Sequence, residues 1–159
     1  MKDLAGKVAF ITGGVSGVAL GQAKVLAEEA GMTVAIADIR KDALDEAMAY
    51  FASKDVTVHP VHLDLTGRAA YAAAADEVER VLGPVQLLLN TAGVSQFGPL
   101  KNATYGDWDW QMSVNFGGLL NGVQTFMPRM IAHAQGGHIV NCASMSAFVA
   151  LPHCGHGRI

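Results

Sequence analysis

A glycine-rich segment at residues 11–21, "ITGGVSGVALG", is the part of the sequence best suited to hold a phosphate group. Its glycines at positions 13, 14 and 17 lie between an apolar run and a helical pattern. In that context the backbone can approach a pyrophosphate, whose charge then faces the helix N-terminus. The alternative is an ordinary strand-to-helix turn, because glycine patterns also occur without a ligand.

A carboxylate at Asp38 adds a second element of a dinucleotide site. It ends the next apolar run, 25 positions after Gly13. A carboxylate there can accept hydrogen bonds from both hydroxyls of an adenosine ribose, and it repels a 2′-phosphate. The sequence therefore favours NAD over NADP, with Arg40 as the nearby residue that could favour NADP instead.

Two further groups of reactive side chains give weaker signals. The segment "HCGH" holds His153, Cys154 and His156, which could titrate near neutrality or bind a metal. A structural zinc site needs four ligands, and no second cluster is evident, so a terminal loop is the expected reading. Ser144 has no positional His and Asp partners, so a hydrolase triad is not expected.

The elements that must position these residues alternate along the chain. Strands are predicted at residues 7–12, 33–39, 56–65 and 137–144, and residues 85–93 are predicted to form a further strand and its exit loop. Helices are predicted at residues 18–30, 41–53, 68–83 and from about 104 to 133. Gly31 is expected to end the first helix, and Pro60 counts against the third strand, because proline prefers sheet edges. This alternation predicts an α/β fold with a Rossmann-type, doubly wound parallel sheet of five strands.

The long fourth helix carries its own start and break signals. Thr104 and Asp107 resemble a capping box with Asp in place of Glu. Gly117, Gly118 and Pro128 are expected to bend or interrupt the helix.

Composition narrows the class of protein. A length of 159 residues predicts one domain over residues 1–159, and 51% hydrophobic residues suit strands buried on both faces. No apolar run approaches the roughly 20 residues that span a bilayer, and the N-terminus is unlike a signal peptide. The net charge of −3 gives no reason to expect nucleic acid or an anionic membrane as partner. Two cysteines provide no disulfide framework, which favours a cytoplasmic location.

Three ordered motifs, "TGGVSG", "NTAG" and "IVNCAS", make the chain resemble the classical short-chain dehydrogenase/reductase family over residues 7–150. The resemblance implies NAD(P)-dependent hydride transfer between nicotinamide and a small alcohol or ketone. It implies a pyrophosphate loop formed by Thr12, Gly13, Ser16, Gly17 and Val18, and a ribose-binding acid at Asp38. The same resemblance implies that Asp64 and Leu65 form an adenine-side pair. It assigns Asn90, Ala92 and Gly93 to a segment along the cofactor's ribose. It also implies two catalytic residues, Asn115 supporting a proton-relay water and Ser144 binding the substrate oxygen. Ala19 and Thr91 depart from the family's pattern, which has glycine and asparagine there.

The family's acid–base pair, Tyr-x-x-x-Lys about a dozen residues after the serine, is missing from its place. A free phenol has a pKa of about 10, which a lysine one helical turn away lowers. The segment "LPHCGHGRI" contains neither residue. Tyr50 and Lys54 match the spacing but precede both Asn115 and Ser144, and we expect a surface pair near the adenine half.

These observations leave three hypotheses open. The chain is a shortened, inactive or impaired form of a NAD-dependent oxidoreductase, a non-catalytic dinucleotide-binding module, or the product of a frameshift or early stop. The family's C-terminal strands would then be missing, and the fifth strand would be an exposed apolar edge. We therefore expect low stability or self-association into a homo-oligomer.

Overall fold

The computed structural model describes residues 3–96, 98–145 and 148. These residues form one sheet of five strands, β1 Val8–Thr12, β2 Thr33–Asp38, β3 Val58–His62, β4 Val85–Asn90 and β5 His138–Asn141. The strand order is β3-β2-β1-β4-β5, and every neighbouring pair is parallel. The predicted α/β fold with a five-stranded parallel sheet is confirmed.

Helices connect the strands in the predicted alternation. They are α1 Gly17–Lys24, which continues as a π-helical turn Val25–Glu29, α2 Lys41–Ser53, α3 Arg68–Leu82, a 3₁₀ turn Leu100–Asn102, α4 Tyr105–Met112, a π-helical segment Ser113–Gly118, and α5 Leu119–His133. Gly31 has a φ of +65° and follows the first helical stretch, as expected of a helix-ending glycine.

Apolar cores lie on both faces of the sheet, because successive strand residues point to opposite sides. On one face Phe10 packs against Tyr71 of α3 and Phe126 of α5, with 4.8 Å between the centroids of the Phe10 and Phe126 rings. On the other face Ile11 belongs to a cluster that includes Phe51 of α2. Helices therefore cover the sheet from both sides, which is the doubly wound arrangement.

β3 and β5 each end three residues before the strand end that the sequence suggested. β3 ends at His62 rather than at position 65, because Asp64 begins a turn in which Gly67 N donates to its carbonyl oxygen at 3.2 Å. β5 ends at Asn141 rather than at position 144, and the bond from Cys142 N to Asn90 O is its last ladder contact. Pro60 is tolerated in β3 because this strand lies at one edge of the sheet.

The long helix begins at the predicted capping box, and its geometry changes at the predicted glycines. Thr104 and Asp107 form the capping box in both directions. The interruption is a π-helical segment that ends at Gly118. Pro128 lies inside α5, which continues to His133 without an interruption at the proline.

β5 forms the edge of the sheet opposite to β3, and Val140 in this strand is 38% exposed. On α5, Ile131 is 72% exposed. Among the described helices, none has the length and apolar character needed to cross a bilayer. The expected self-association stays a prediction.

Candidate functional site

A cavity of about 510 Å³ opens at the carboxyl ends of the central strands. Here β1 and β4 are neighbours, and the chain leaves them towards opposite halves of the sheet. Such switch points are where parallel α/β sheets bind ligands, and the volume is in the usual range of ligand sites. The predicted site residues that line it are Gly13, Ser16, Gly17, Val18, Asp38, Asp64, Leu65, Ala92 and Gly93. Four predicted residues, Thr12, Asn90, Asn115 and Ser144, do not line it.

The glycine loop packs tightly between β2 and the exit of β4. Gly13 has a φ of +71°, and a Cβ built on it would lie 2.9 Å from Ala92 Cα. A Cβ on Gly14 would lie 2.5 Å from Ile36 Cβ. Only glycine fits these two positions without moving the backbone, so the loop runs close beneath the cavity floor.

The N-terminus of α1 faces the cavity with its backbone donors uncapped by a side chain. Ser16 is the N-cap residue, yet its hydroxyl makes no capping bond, and the first turn contains no acidic residue. Both Ser16 and Gly17 line the cavity. Unpaired N–H groups and the helix dipole together favour an anion at this end.

Thr12 ties the glycine loop to the exit of β4. Its side chain is 2% exposed, and Oγ1 accepts hydrogen bonds from Thr91 N at 3.0 Å and from Ala92 N at 3.1 Å. The same hydroxyl donates to Leu89 O at 3.4 Å. The Thr12 side chain is thus committed to holding the two loops that form the cavity floor.

Asp38 ends β2 with its carboxylate at the cavity. Its Oδ1 accepts a hydrogen bond from Arg40 N at 2.9 Å, which fixes the orientation of the group. The guanidinium of Arg40 turns to the first turn of α2, where Nη2 lies 2.8 Å from Asp42 Oδ2. An oriented carboxylate at a strand end can accept hydrogen bonds from a diol.

A second carboxylate, Asp64, lies beyond β3 on the same side of the cavity. Its Oδ1 accepts from Thr66 N at 2.9 Å and from Thr66 Oγ1 at 2.8 Å. These two bonds hold the pKa of the Asp64 carboxyl below its usual range. Asp64 is therefore a fixed negative group near neutral pH.

Asn90 is buried beneath the cavity and joins β4 to β5. Its Nδ2 donates to Asn141 Oδ1 at 2.9 Å. Its Oδ1 and the Tyr71 hydroxyl are buried with no hydrogen-bond partner among the described residues. Both oxygens face Gly122 of α5, where an added Cβ would lie 2.5 Å from Asn90 Oδ1 and 2.7 Å from Tyr71 Oη. The helix can approach this polar pair only because position 122 is glycine.

Asn115 lies in the π-helical segment and holds the loop after β4. Its Oδ1 accepts from Val94 N at 2.7 Å, and its Nδ2 donates to Val94 O at 2.8 Å. Ser144 is exposed and follows the end of β5 by three positions, whereas Cys142 lines the cavity. The structure thus places Asn115 beside the cavity wall and Ser144 outside it.

Two of the described tyrosines, Tyr50 and Tyr71, have a raised phenol pKa. Tyr50 donates to Glu28 Oε1 at 3.0 Å with Lys24 Nζ 3.7 Å from its ring centroid, and desolvation and Glu28 raise its pKa. Burial raises the pKa of Tyr71 well above its usual range. Both shifts run opposite to what a general base at neutral pH requires.

Further residues line the cavity, of which the sequence analysis had named only Arg40, as a residue that could favour NADP, and Ala19 and Thr91, as departures from the family's pattern. They are Ala19, Ala37, Ile39, Arg40, Leu63, Thr91, Val94, Trp110, Val114 and Cys142. Ala37 and Ile39 flank Asp38 in the sequence, and Leu63 precedes Asp64. Their positions next to the predicted acids could have identified them as lining residues. Thr91 Oγ1 donates to Gln22 Oε1 of α1 at 2.8 Å, a contact that no local pattern indicated.

Comparison with known proteins gives a consistent result. A sequence model described as short chain dehydrogenase matches residues 7–156. The C alpha-dehydrogenase of Sphingobium sp. (strain NBRC 103272 / SYK-6) is 49% identical over 150 residues, which cover 94% of this chain and 49% of that protein. The crystal structure of the apo form of LigO from Sphingobium sp. strain SYK-6 superposes with a TM-score of 0.95 at 73% identity, covering 98% of this chain and 57% of that one.

A third relative was solved with a dinucleotide. The short-chain dehydrogenase/reductase of Burkholderia phymatum in complex with NAD gives a TM-score of 0.92 at 35% identity, covering 98% of this chain and 55% of that one. The chain thus spans about half the length of the relatives that it matches. Members of this family bind NAD(P) and act on small molecules. With the parallel sheet, the glycine loop and these matches taken together, the chain belongs to the short-chain dehydrogenase family.

Proposed function

We propose that the chain binds NAD in the cavity at the carboxyl ends of β1, β2 and β4. The observation that carries this proposal is the pairing of two features across one cavity of about 510 Å³. One is the uncapped N-terminus of α1 at Ser16 and Gly17, which suits a pyrophosphate. The other is the oriented carboxylate of Asp38, which suits the ribose diol. The close approach of Gly13 to Ala92 leaves backbone rather than side chain beneath the phosphates.

The adenine end is assigned to the apolar residues beside the two carboxylates. Ile39, although 59% exposed, lines the cavity together with Leu65. Exposed apolar side chains at a cavity suit the faces of an aromatic base. Asp64 completes this end, and Ala92 and Gly93 border the path towards the nicotinamide.

NAD is preferred over NADP because Asp38 presents a negative charge where a 2′-phosphate would lie. Burying two negative groups side by side is unfavourable, so the same carboxylate that binds the diol rejects the phosphorylated ribose. The similarity of this chain to a relative whose structure was solved in complex with NAD supports this preference.

The reaction proposed for the whole protein is dehydrogenation at an alcohol carbon or reduction of the corresponding ketone. The relative named C alpha-dehydrogenase supports a reaction of this type. When bound, a nicotinamide dinucleotide supplies or accepts the hydride. Within this chain, Ser144 is assigned to the substrate oxygen and Asn115 to positioning the loop beside it. No Tyr-x-x-x-Lys segment follows Ser144 in the 159 residues, so we expect binding of NAD without turnover above background from this chain alone.

Isothermal titration of the 159-residue chain with NAD tests the proposal. We expect saturable binding, and about tenfold weaker binding by Asp38→Asn, because hydrogen bonds to a charged acceptor contribute roughly 1.5–3 kcal/mol each. Asp45→Asn, an exposed carboxylate of α2 that does not line the cavity, is the matched control and should leave the affinity unchanged. Absence of binding at millimolar NAD, or equal losses in both variants, would exclude the site. Alcohol oxidation by this chain alone would contradict the expected lack of turnover.

A further inference from the structure

The guanidinium of Arg40 is held by an ion pair at the rim of the ribose end. Its Nη2 lies 2.8 Å from Asp42 Oδ2, and its backbone N donates to Asp38 Oδ1. Asp42 belongs to the first turn of α2 and does not line the cavity, whereas Arg40 does. The ion pair of Arg40 and Asp42 therefore lies beside Asp38, the carboxylate assigned to the ribose, and Asp42 itself is not part of the cavity wall.

Arg40 is the one cation among the described residues that line the cavity. A guanidinium at this place is the natural partner of a 2′-phosphate, because it can pair with phosphate oxygens in a bidentate manner. The hydrogen bond and charge of Asp42 raise the pKa of Arg40, and Arg40 lowers the pKa of Asp42 in return. The positive charge of Arg40 is thus already engaged by a carboxylate of this chain.

We propose that Asp42 is a second determinant of dinucleotide choice, acting through Arg40, and this inference rests on the proposed binding of NAD. Asp38 repels a 2′-phosphate directly. Asp42 acts as a positioning residue, since it keeps the guanidinium of Arg40 turned towards α2 and neutralised. Removing the carboxylate at position 42 frees Arg40 to pair with a 2′-phosphate on the neighbouring ribose.

A purely structural role for Asp42 makes a different prediction. An acid in the first turn of a helix favours the helix dipole whatever its neighbours are. In that case the loss of Asp42 would lower the melting temperature and leave the ratio of NADP to NAD affinity unchanged. The affinity ratio is therefore the readout that separates the two roles.

The test uses Asp38→Asn as a background, because this change removes the direct repulsion while keeping the oxygen that accepts from Arg40 N. In that background, Asp42→Asn should tighten NADP binding about threefold and leave NAD binding unchanged. The effect is small because both partners are exposed, at 61% and 70% of their side chains, and such pairs interact weakly. Asp42→Ser serves as a second variant, and the gain should shrink in about 1 M salt.

Two controls identify the route of the effect. Asp45→Asn removes a carboxylate from the same helix without touching the ion pair, and it should not tighten NADP binding. In an Arg40→Ala background, Asp42→Asn should lose most of its effect. A gain that persists without Arg40, or an equal gain from Asp45→Asn, would mean a general change of charge and would overturn the proposal.

Titration with NAD separates this inference from the proposed function. If the unaltered chain binds NAD, and Asp42→Asn leaves NADP binding unchanged in the Asp38→Asn background, the role of Asp42 is refuted and the NAD site stands. If neither dinucleotide binds the unaltered chain or the Asp38→Asn background, the proposed function fails and the inference fails with it.

Discussion

Replacing Thr12 by valine tests whether this residue holds the cavity floor rather than the ligand. Valine keeps the shape of the side chain and removes the oxygen that accepts from Thr91 N and Ala92 N. Each lost bond costs about 1–1.5 kcal/mol net, so the free energy of unfolding should fall by roughly 2–3 kcal/mol. No cavity term is added, because valine and threonine side chains are nearly equal in size. NAD binding should weaken as well, since the glycine loop and the exit of β4 lose their common anchor.

Urea denaturation followed by circular dichroism measures this loss, with Thr12→Ser as the matched control. Serine keeps the accepting oxygen and removes one methyl group, which is worth about 1 kcal/mol when buried. We therefore expect serine to be the milder change of the two. A valine variant within about 0.5 kcal/mol of the unaltered chain would refute the anchoring role. So would a serine variant that loses as much stability as valine.

The remaining predictions concern a helix contact and a carboxylate. Gly122→Ala should lower the free energy of unfolding by roughly 1–3 kcal/mol in urea denaturation, because the new methyl collides with Asn90 Oδ1. Gly21→Ala, which meets nothing within 4 Å, should be neutral or stabilising, and equal losses in both variants would contradict the packing argument. The folded-state pKa of Asp64 is lowered by Thr66, so its contribution to stability is fully present above an unfolded pKa of about 3.9 and is lost as the pH falls through the folded value. Thr66→Val removes the hydroxyl bond and keeps the backbone bond, so it should flatten this acid limb in part in melting curves measured from pH 7 to pH 2; an unchanged slope would show that the hydroxyl bond does not contribute.

The parts of the site that the sequence could predict are those encoded by short segments. The glycine loop, Asp38 at a strand end and the capping box at Thr104 each depend on a few consecutive residues and on local backbone geometry. Contacts between distant segments were not predictable in this way. Thr91 pairs with Gln22, although 69 positions separate them, because the register between β1 and β4 brings α1 beside the exit of β4.

The long helix shows a second reason why sequence patterns fail. A π-helical segment adds about one residue to a turn, so the helical period before and after it differs in phase by about 100°. A reading of residues 104–133 with one continuous period therefore assigns the wrong face to the residues of α5. The segment Ser113–Gly118 places Asn115 against the backbone of Val94. There the side-chain oxygen and the side-chain nitrogen of Asn115 are both hydrogen-bonded. Pro128 is accommodated inside α5, where it is exposed.

The division between residues that line the cavity and residues that support it follows from strand position. Thr12 and Asn90 are the last residues of β1 and β4, the two strands that meet at the switch point. Loops from both strands cover these residues, so their side chains are buried and bond to neighbouring segments. Asp38 also ends a strand, but β2 lies one place further from the switch point, and its carboxylate reaches the cavity. A family motif places all three in one functional set, whereas their burial separates two anchors from one carboxylate that lies at the cavity.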